Sequence, residues 1–274
     1  SDLPPLIEDT QVFARVTAEQ KLRIVLALQS RREVVAMTGD GVNDAPALKQ
    51  ADIGVAMGMV GSEVAKDSAD MVLTDDNFAT IEAAVEEGRG VFDNLTKYIT
   101  WALPTSLGEG LVIVAAIMLG TSLPITPVQI LWVNMTTAVA LGITLAFEPG
   151  EPGLMARPPR DPDQPILTRI LVSRIVMVSL IMVVGAFGLF EFTLSAGSPV
   201  EVARTIAVNA FVLVEMTYLF NCRTLTDWAG SLGWFSNRNL LIGVAIQVAL
   251  QLAFTYLPVM NTLFGSAPLT AAEW

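Results

Sequence analysis

The run from Tyr98 to Gly120 is apolar enough to cross a bilayer, and it continues a helical pattern that begins at Phe78. A chain carrying such a segment must bury it in lipid or in a large core. Four further apolar segments, at about 127–147, 170–194, 203–222 and 239–258, decide for lipid. Hydrophobic residues make up 53% of the chain, charged residues 16%, and the mean hydropathy is +0.56, too apolar for an ordinary soluble domain. These features predict an all-α transmembrane bundle of five helices over 98–258, followed by an extracytoplasmic loop over 259–274. If unbroken, the helix from Phe78 to Gly120 would reach roughly 60 Å at about 1.5 Å per residue. Pro104 is expected to kink it.

The front of the chain is different. Residues 1–97 hold 9 Lys/Arg against 17 Asp/Glu, whereas residues 98–274 hold 7 against 10, diluted in apolar runs. The acidic balance excludes nucleic acid as a partner, because nothing here could neutralise a row of phosphates. With no histidine and one cysteine, Cys222, the chain has neither an internal disulfide nor a His/Cys metal cluster, so any metal would be held by hard oxygen ligands. Residues 1–77 alternate short strands and helices. Strands are predicted at Val12–Val16, Val34–Met37, Ile53–Met57 and Met71–Thr74, and helices at 18–30 and Ala45–Gln50, with Pro46 in the first turn of the second. This order implies a parallel sheet with its site at the strand C-termini. Residues 78–97 form an acidic amphipathic stalk.

Basic residues orient the spans. If residues 1–97 are cytoplasmic, Arg157, Arg160, Arg169, Arg174, Arg223 and Arg238 lie on that side and only Arg204 lies opposite. The proline-rich loop Glu148 to Arg160 falls on the cytoplasmic side, where it could brace the long helix against the soluble domain. The chain opens without a basic n-region or signal peptide, and both ends read as cuts.

The stretch TGDGVNDAP, Thr38 to Pro46, follows the apolar run ending at Met37. A carboxylate at a strand end, followed by glycine, can approach Mg2+ closely, and Asn43 and Asp44 stand where an amide and a second carboxylate could surround a phosphoryl group. A bare Gly/Asn/Asp turn would reverse the chain with no chemistry at all. In the membrane, Glu109 lies mid-span with Thr105 and Ser106 on its face and Gly108 and Gly110 beside it for close helix approach. A carboxylate at the bilayer centre costs about 3 kcal/mol and marks function, here an ion pathway. Asn134 and Thr137 share a face of the next span, and Glu215 is a second intramembrane carboxylate. Gln247 and Gln251 read as packing partners between helices.

The strings FARVTAEQK, TGDGVNDAPALK, ADMVLTDDNFATI, EEGRG, LWVN and ARPPR together resemble the P-type cation-transporting ATPases, in their calcium-pump-like branch, over nearly the whole chain. The resemblance implies an α/β haloacid-dehalogenase-like partial catalytic domain ahead of the all-α membrane bundle. It implies ATP-driven cation transport through an aspartyl phosphate, with ATP as substrate and Mg2+ as cofactor. Thr38, Gly39 and Asp40 would form the catalytic turn, Asp40 holding Mg2+. Asn43 and Asp44 would hydrogen-bond around the phosphate, and Lys21 would neutralise it. Glu109, Asn134, Thr137 and Glu215 would ligate the transported cation, with Ca2+ first and Na+ or K+ as alternatives. Calcium pumps carry an Asp where this chain has Ala138 and an Asn where it has Ser106, which implies a single ion or a different one. No DKTGT motif is present. The resemblance therefore places the phosphorylated Asp, the nucleotide and actuator domains and four membrane helices before Ser1, as partners on the same polypeptide. It also places one helix after Trp274. The fragment alone is expected not to turn over ATP. The rival readings are a membrane-anchored phosphatase of the same soluble fold and a non-catalytic membrane scaffold.

Overall fold

The computed structural model describes residues 7, 10–161, 163–225, 230 and 232–274. It divides into two compact units, Ser1–Glu87 with Arg160–Pro162, and Gly88–Pro159 with Asp163–Trp274.

The first unit contains α1 (Ala18–Ser30), β1 (Ala36–Gly39), α2 (Ala45–Gln50), β2 (Ile53–Met57), α3 (Glu63–Ser68) and β3 (Met71–Leu73). The three strands pair in parallel in the order β1-β2-β3, with Ala36 opposite Ile53 and Val55 opposite Met71. Alternation along β2 gives each face its own core. Ala56 packs with Leu48 of α2 and Ala65 of α3, while Val55 and Met57 pack with Leu73 and Ile81. Helix α1 starts at a reciprocal cap: Thr17 accepts from the Gln20 N–H, and the Gln20 side chain accepts from the Thr17 N–H. The TAEQ string therefore has a helix-starting role of its own.

The expected strand Val12–Val16 does not form. Arg15 takes φ 56°, which interrupts an extended run, and Val12 is 81% exposed, with no sheet face to cover it. The strand expected at Val34–Met37 begins two residues later. Val34 is exposed, and the Val35 N–H is taken by the Asp52 carboxylate, not by a ladder partner. Helix α3 was not expected from the sequence. Ser62 caps it through the Ala65 N–H.

The helix α4 (Phe78–Leu119) is continuous through Pro104, and the division between the two units falls inside it. The second unit continues with α5 (Pro127–Ala140), α6 (Arg169–Ser195), α7 (Val200–Asn221), α8 (Arg238–Tyr256) and a short α9 (Pro258–Phe264), which falls where only a loop was expected. Five helical segments, including Pro127–Phe147, are long and apolar enough to cross a membrane. With that content, the chain is an integral membrane protein. The second span is regular only to Ala140 and then tightens to a 3-10 segment, Gly142–Phe147. A Cβ on Gly142 would stand 2.9 Å from the rings of both Trp101 and Tyr98, so the chain passes there only as glycine.

Gly243 of α8 makes a similar approach: a Cβ would lie 2.0 Å from the Ala140 carbonyl, which locks α8 against the end of α5. Gly108 packs against Phe211 and Met182, as expected of a small residue between spans, but nothing lies within 4 Å of the Cβ position at Gly110. The core of this unit is built where Trp101, Val112, Val133, Met182 and Phe211 meet.

The proline-rich loop after α5 is tied down. Arg89 of α4 donates to the carbonyls of Leu154 and Arg157, and Asn94 donates to those of Ala146 and Glu148. Arg157 pairs with Asp93 and Glu151, and Lys97 pairs with Glu151. Above them, Glu148 and Arg223 form a salt bridge at 2.8 Å with both side chains 0% exposed. Asn237 donates to Glu148, while Arg223 also donates to Ser236 and the Gly233 carbonyl. In the sequence, Glu148 and Arg223 stand out only as members of a proline-rich loop and of the basic residues on one side of the membrane. A buried pair between distant loops leaves no local pattern to read.

Candidate functional site

In the first unit, the loop after β1 turns through a 3-10 segment, Val42–Asp44, directly into α2. Asp44 is its organising residue. It is buried, its Oδ1 accepts from the Lys21 ammonium at 2.5 Å, and its Oδ2 accepts from the N–H groups of Asp40 and Gly41 at 3.4 and 3.3 Å. Burial works to raise the Asp44 pKa, but the Lys21 hydrogen bond and the backbone donors outweigh it, and the pKa is lowered. Gly39 is required beneath this carboxylate, since a Cβ would come within 2.6 Å of the Asp44 Cβ. Lys21, 23 residues earlier in the chain, is thus brought to the same turn as Asp44.

Asp40 sits at the C-terminal end of β1 with an exposed side chain. Its carbonyl accepts from the Ser62 N–H, while its carboxylate makes no hydrogen bond among the described residues. Thr38 is half-buried on β1, and Asn43 is exposed in the turn. Among the described residues no group of three or more acidic, His or Cys side chains could by itself hold a metal. Asp40 has an open carboxylate fit for Mg2+, whereas both oxygens of Asp44 are already engaged.

A neighbouring carboxylate went unassigned in the sequence. Asp76, at φ 52°, accepts from the N–H groups of Gly58, Met59 and Val60, and these donors, led by that of Met59, hold its pKa low. It fixes the loop after β2. The signal was present in the DD pair of LTDDN, but the receiving amides lie in another segment.

In the second unit, the structure brings together the four polar residues of the spans. Asn134 donates its amide to Glu109 Oε2 at 2.6 Å, and the Thr137 side chain lies close enough to the Glu215 carboxylate to favour its charged form. Glu109 is 5% exposed, Glu215 1%, and the two are near enough to repel. Glu109 Oε1 and Glu215 Oε2 are buried and have no hydrogen-bond partner. Among the described residues no Lys or Arg pairs with either. Two desolvated carboxylates with an open oxygen each and no countercharge cost several kcal/mol when ionised, a cost relieved by a bound cation or by protons. Ser106 and Ala138 are exposed.

The helix that carries Glu109 has a gap in its hydrogen-bond ladder one turn earlier. Pro104 has no N–H for the Thr100 carbonyl, and the Tyr218 hydroxyl donates to that carbonyl instead at 3.1 Å. Trp101 donates its indole N–H to the Glu215 carbonyl, and Ser179 donates to the Pro104 carbonyl. Gln247 and Gln251 hydrogen-bond across spans, to Thr136 and Asn209, as packing partners do.

Comparison with known proteins agrees with both halves. Residues 20–84 match the family model described as haloacid dehalogenase-like hydrolase, and residues 122–274 match the model described as cation transporting ATPase, C-terminus. Over 99% of its length the chain is 64% identical to a "Probable cation-transporting ATPase F" of Mycobacterium tuberculosis. It is 46% identical to the "Cation-transporting ATPase pma1" of Synechocystis and 39% identical to a "Calcium-transporting ATPase" of Bacillus subtilis, in each case along its whole length. The chain spans about 30% of the length of these relatives. Because the C-terminal family model covers more than half of it, this chain belongs to the P-type cation-transporting ATPases.

Proposed function

We propose that this chain supplies the cation-binding spans and part of the phosphoryl-handling unit of an ATP-driven pump that works through an aspartyl phosphate. The observation that carries the reading is the buried pair Glu109 and Glu215, each with one open oxygen and neither with a basic partner. Asn134 gives its N–H to Glu109, which leaves its carbonyl oxygen free for a cation, and Thr137 adds a hydroxyl. Such a hard-oxygen set suits Ca2+ first, and Na+ or K+ as alternatives. Two carboxylates balance one divalent ion, and Ala138 adds no third, so a single Ca2+ fits the charge.

In the first unit, Asp40 would hold Mg2+, which neutralises phosphoryl charge when bound. Lys21 is kept in place by Asp44 with its ammonium at the mouth of the same turn, and Asn43 offers an exposed amide. The phosphorylated Asp and the ATP site would come from other parts of the full-length protein. On this reading residues 1–97 are cytoplasmic, and the continuous helix α4 is the element through which phosphorylation and ion movement communicate.

The test uses the full-length protein in proteoliposomes, with ATPase activity measured against Ca2+, Na+, K+ and Mn2+. Stimulation by one cation that is lost in Glu109→Gln supports the reading and names the ion. Cation-independent phosphate release, unchanged in Glu109→Gln, overturns it and favours a phosphatase.

A further inference from the structure

Helices α6 and α7 pack side by side, and Arg174 near the start of the first bonds Asn221 at the end of the second. There they leave a groove of about 730 Å3, walled by Met177 and Ile181 of α6, Val214 and Thr217 of α7, and Trp234 beyond them. On each helix the lining residues recur three or four apart, so the groove follows one stripe of each span. Met177 and Ile181 are more than half exposed, and their side chains face outward, where a membrane protein meets hydrocarbon.

The end of this apolar groove is cationic. Arg174, in the second turn of α6, donates to the Asn221 carbonyl at 2.6 Å, one of the carbonyls that the C-terminus of α7 leaves unpaired. Its guanidinium stands 5.3 Å from the centre of the Tyr218 ring. Its position is therefore fixed by a carbonyl, the Cys222 sulfur and a ring, with no carboxylate on its guanidinium among the described residues. Trp234, half-exposed and packed against Phe220, marks the same level as an interfacial aromatic.

We propose that this groove binds one anionic phospholipid, its phosphate on Arg174 and an acyl chain along Met177 and Ile181. A planar guanidinium with free N–H donors is suited to a phosphate, and the apolar stripe behind it suits a chain that stays in the membrane. The complementarity is specific to lipid, since a soluble anion would use the arginine and leave the stripe bare. Tyr218 also gives the site a consequence: the ring beneath Arg174 belongs to the residue whose hydroxyl closes the defect at Pro104.

The test uses the full-length protein in detergent, stripped of lipid, with bound lipid counted by native mass spectrometry during titration with phosphatidylglycerol or phosphatidylcholine of identical chains. The expected result is a preference of about tenfold for phosphatidylglycerol, in line with one charge-assisted contact. Arg174→Gln should abolish the preference and Arg174→Lys retain part of it, while Met177→Trp should weaken both lipids together. Equal binding of the two lipids, or a preference unchanged in Arg174→Gln, overturns the proposal. Competition by glycerol 3-phosphate at concentrations equal to the lipid overturns it too, since it would identify a simple anion site. Should the variants fail to fold, a phosphatidylglycerol with a photoreactive acyl chain decides on the unsubstituted chain. Label on the peptide carrying Met177 and Ile181 supports the groove, and label confined to other peptides overturns it.

Discussion

The Tyr218 hydroxyl donates at 3.1 Å to the Thr100 carbonyl, the acceptor that Pro104 cannot reach because proline has no N–H. A side chain of one span thus completes the hydrogen-bond ladder of another. Removing it should leave a buried carbonyl unpaired. Tyr218→Phe is expected to lower stability by about 1–3 kcal/mol. In a Pro104→Ala background, where alanine supplies the missing N–H, the same change should cost much less. Thermal unfolding of the four members of this cycle in detergent measures the coupling, and additive effects would show that the two residues act independently.

The carboxylate pair makes a prediction that needs no turnover. Without cations, and at alkaline pH where both are ionised, Glu109 and Glu215 are buried together and repel. Glu215→Gln should stabilise the cation-free chain by about 1–2 kcal/mol, the size of a buried electrostatic penalty removed. In the same variant the gain on adding the transported cation should vanish. Melting curves with and without Ca2+ check both halves.

The Glu148–Arg223 pair behaves oppositely, because its charges are matched and hydrogen-bonded. Glu148→Gln or Arg223→Met alone is expected to cost about 3–5 kcal/mol, since each strands a buried charge. The double variant should cost far less than the sum. The same melts read this out.

Asp44 gives a pH dependence. Its folded pKa lies below the ordinary value of 3.8, because Lys21 and two backbone N–H groups outweigh the effect of burial. Its contribution is therefore complete above the unfolded value and is lost as pH falls through the folded one. The stability of β1, followed by amide exchange at Ala36–Gly39, should fall below about pH 4 in the unsubstituted chain. That acid-side loss should be much smaller in Asp44→Asn, which already lacks the ion pair at neutral pH.

Long apolar periods made the spans legible, whereas the short helix α3 was missed despite its Ser62 cap. Ala18–Ser30 and Ala45–Gln50 form as expected, the first from its spacing of Leu22, Val25 and Leu26 and the second from Pro46 at its start. The expectation failed at Val12–Val16 because a hydrophobic pentapeptide becomes a strand only where a neighbour can pair with it, and Arg15 turns the chain away. It was incomplete at the second span, where the change to a 3-10 segment depends on the rings of Tyr98 and Trp101. As candidates, Lys21, Asp44, Glu109, Asn134, Thr137 and Glu215 were legible by residue type and motif. Their pairings were not.

By itself, the sequence determined the division into an acidic α/β front and five apolar spans, because composition and period are local properties that each segment carries alone. Tertiary structure decided which polar groups satisfy one another and which stay open. The Lys21–Asp44 and Glu148–Arg223 pairs, the repair of Pro104 by Tyr218 and the orphaned oxygens of Glu109 and Glu215 all join residues far apart in the chain. A buried polar atom must find its partner wherever the fold brings one, and no local pattern records where that will be.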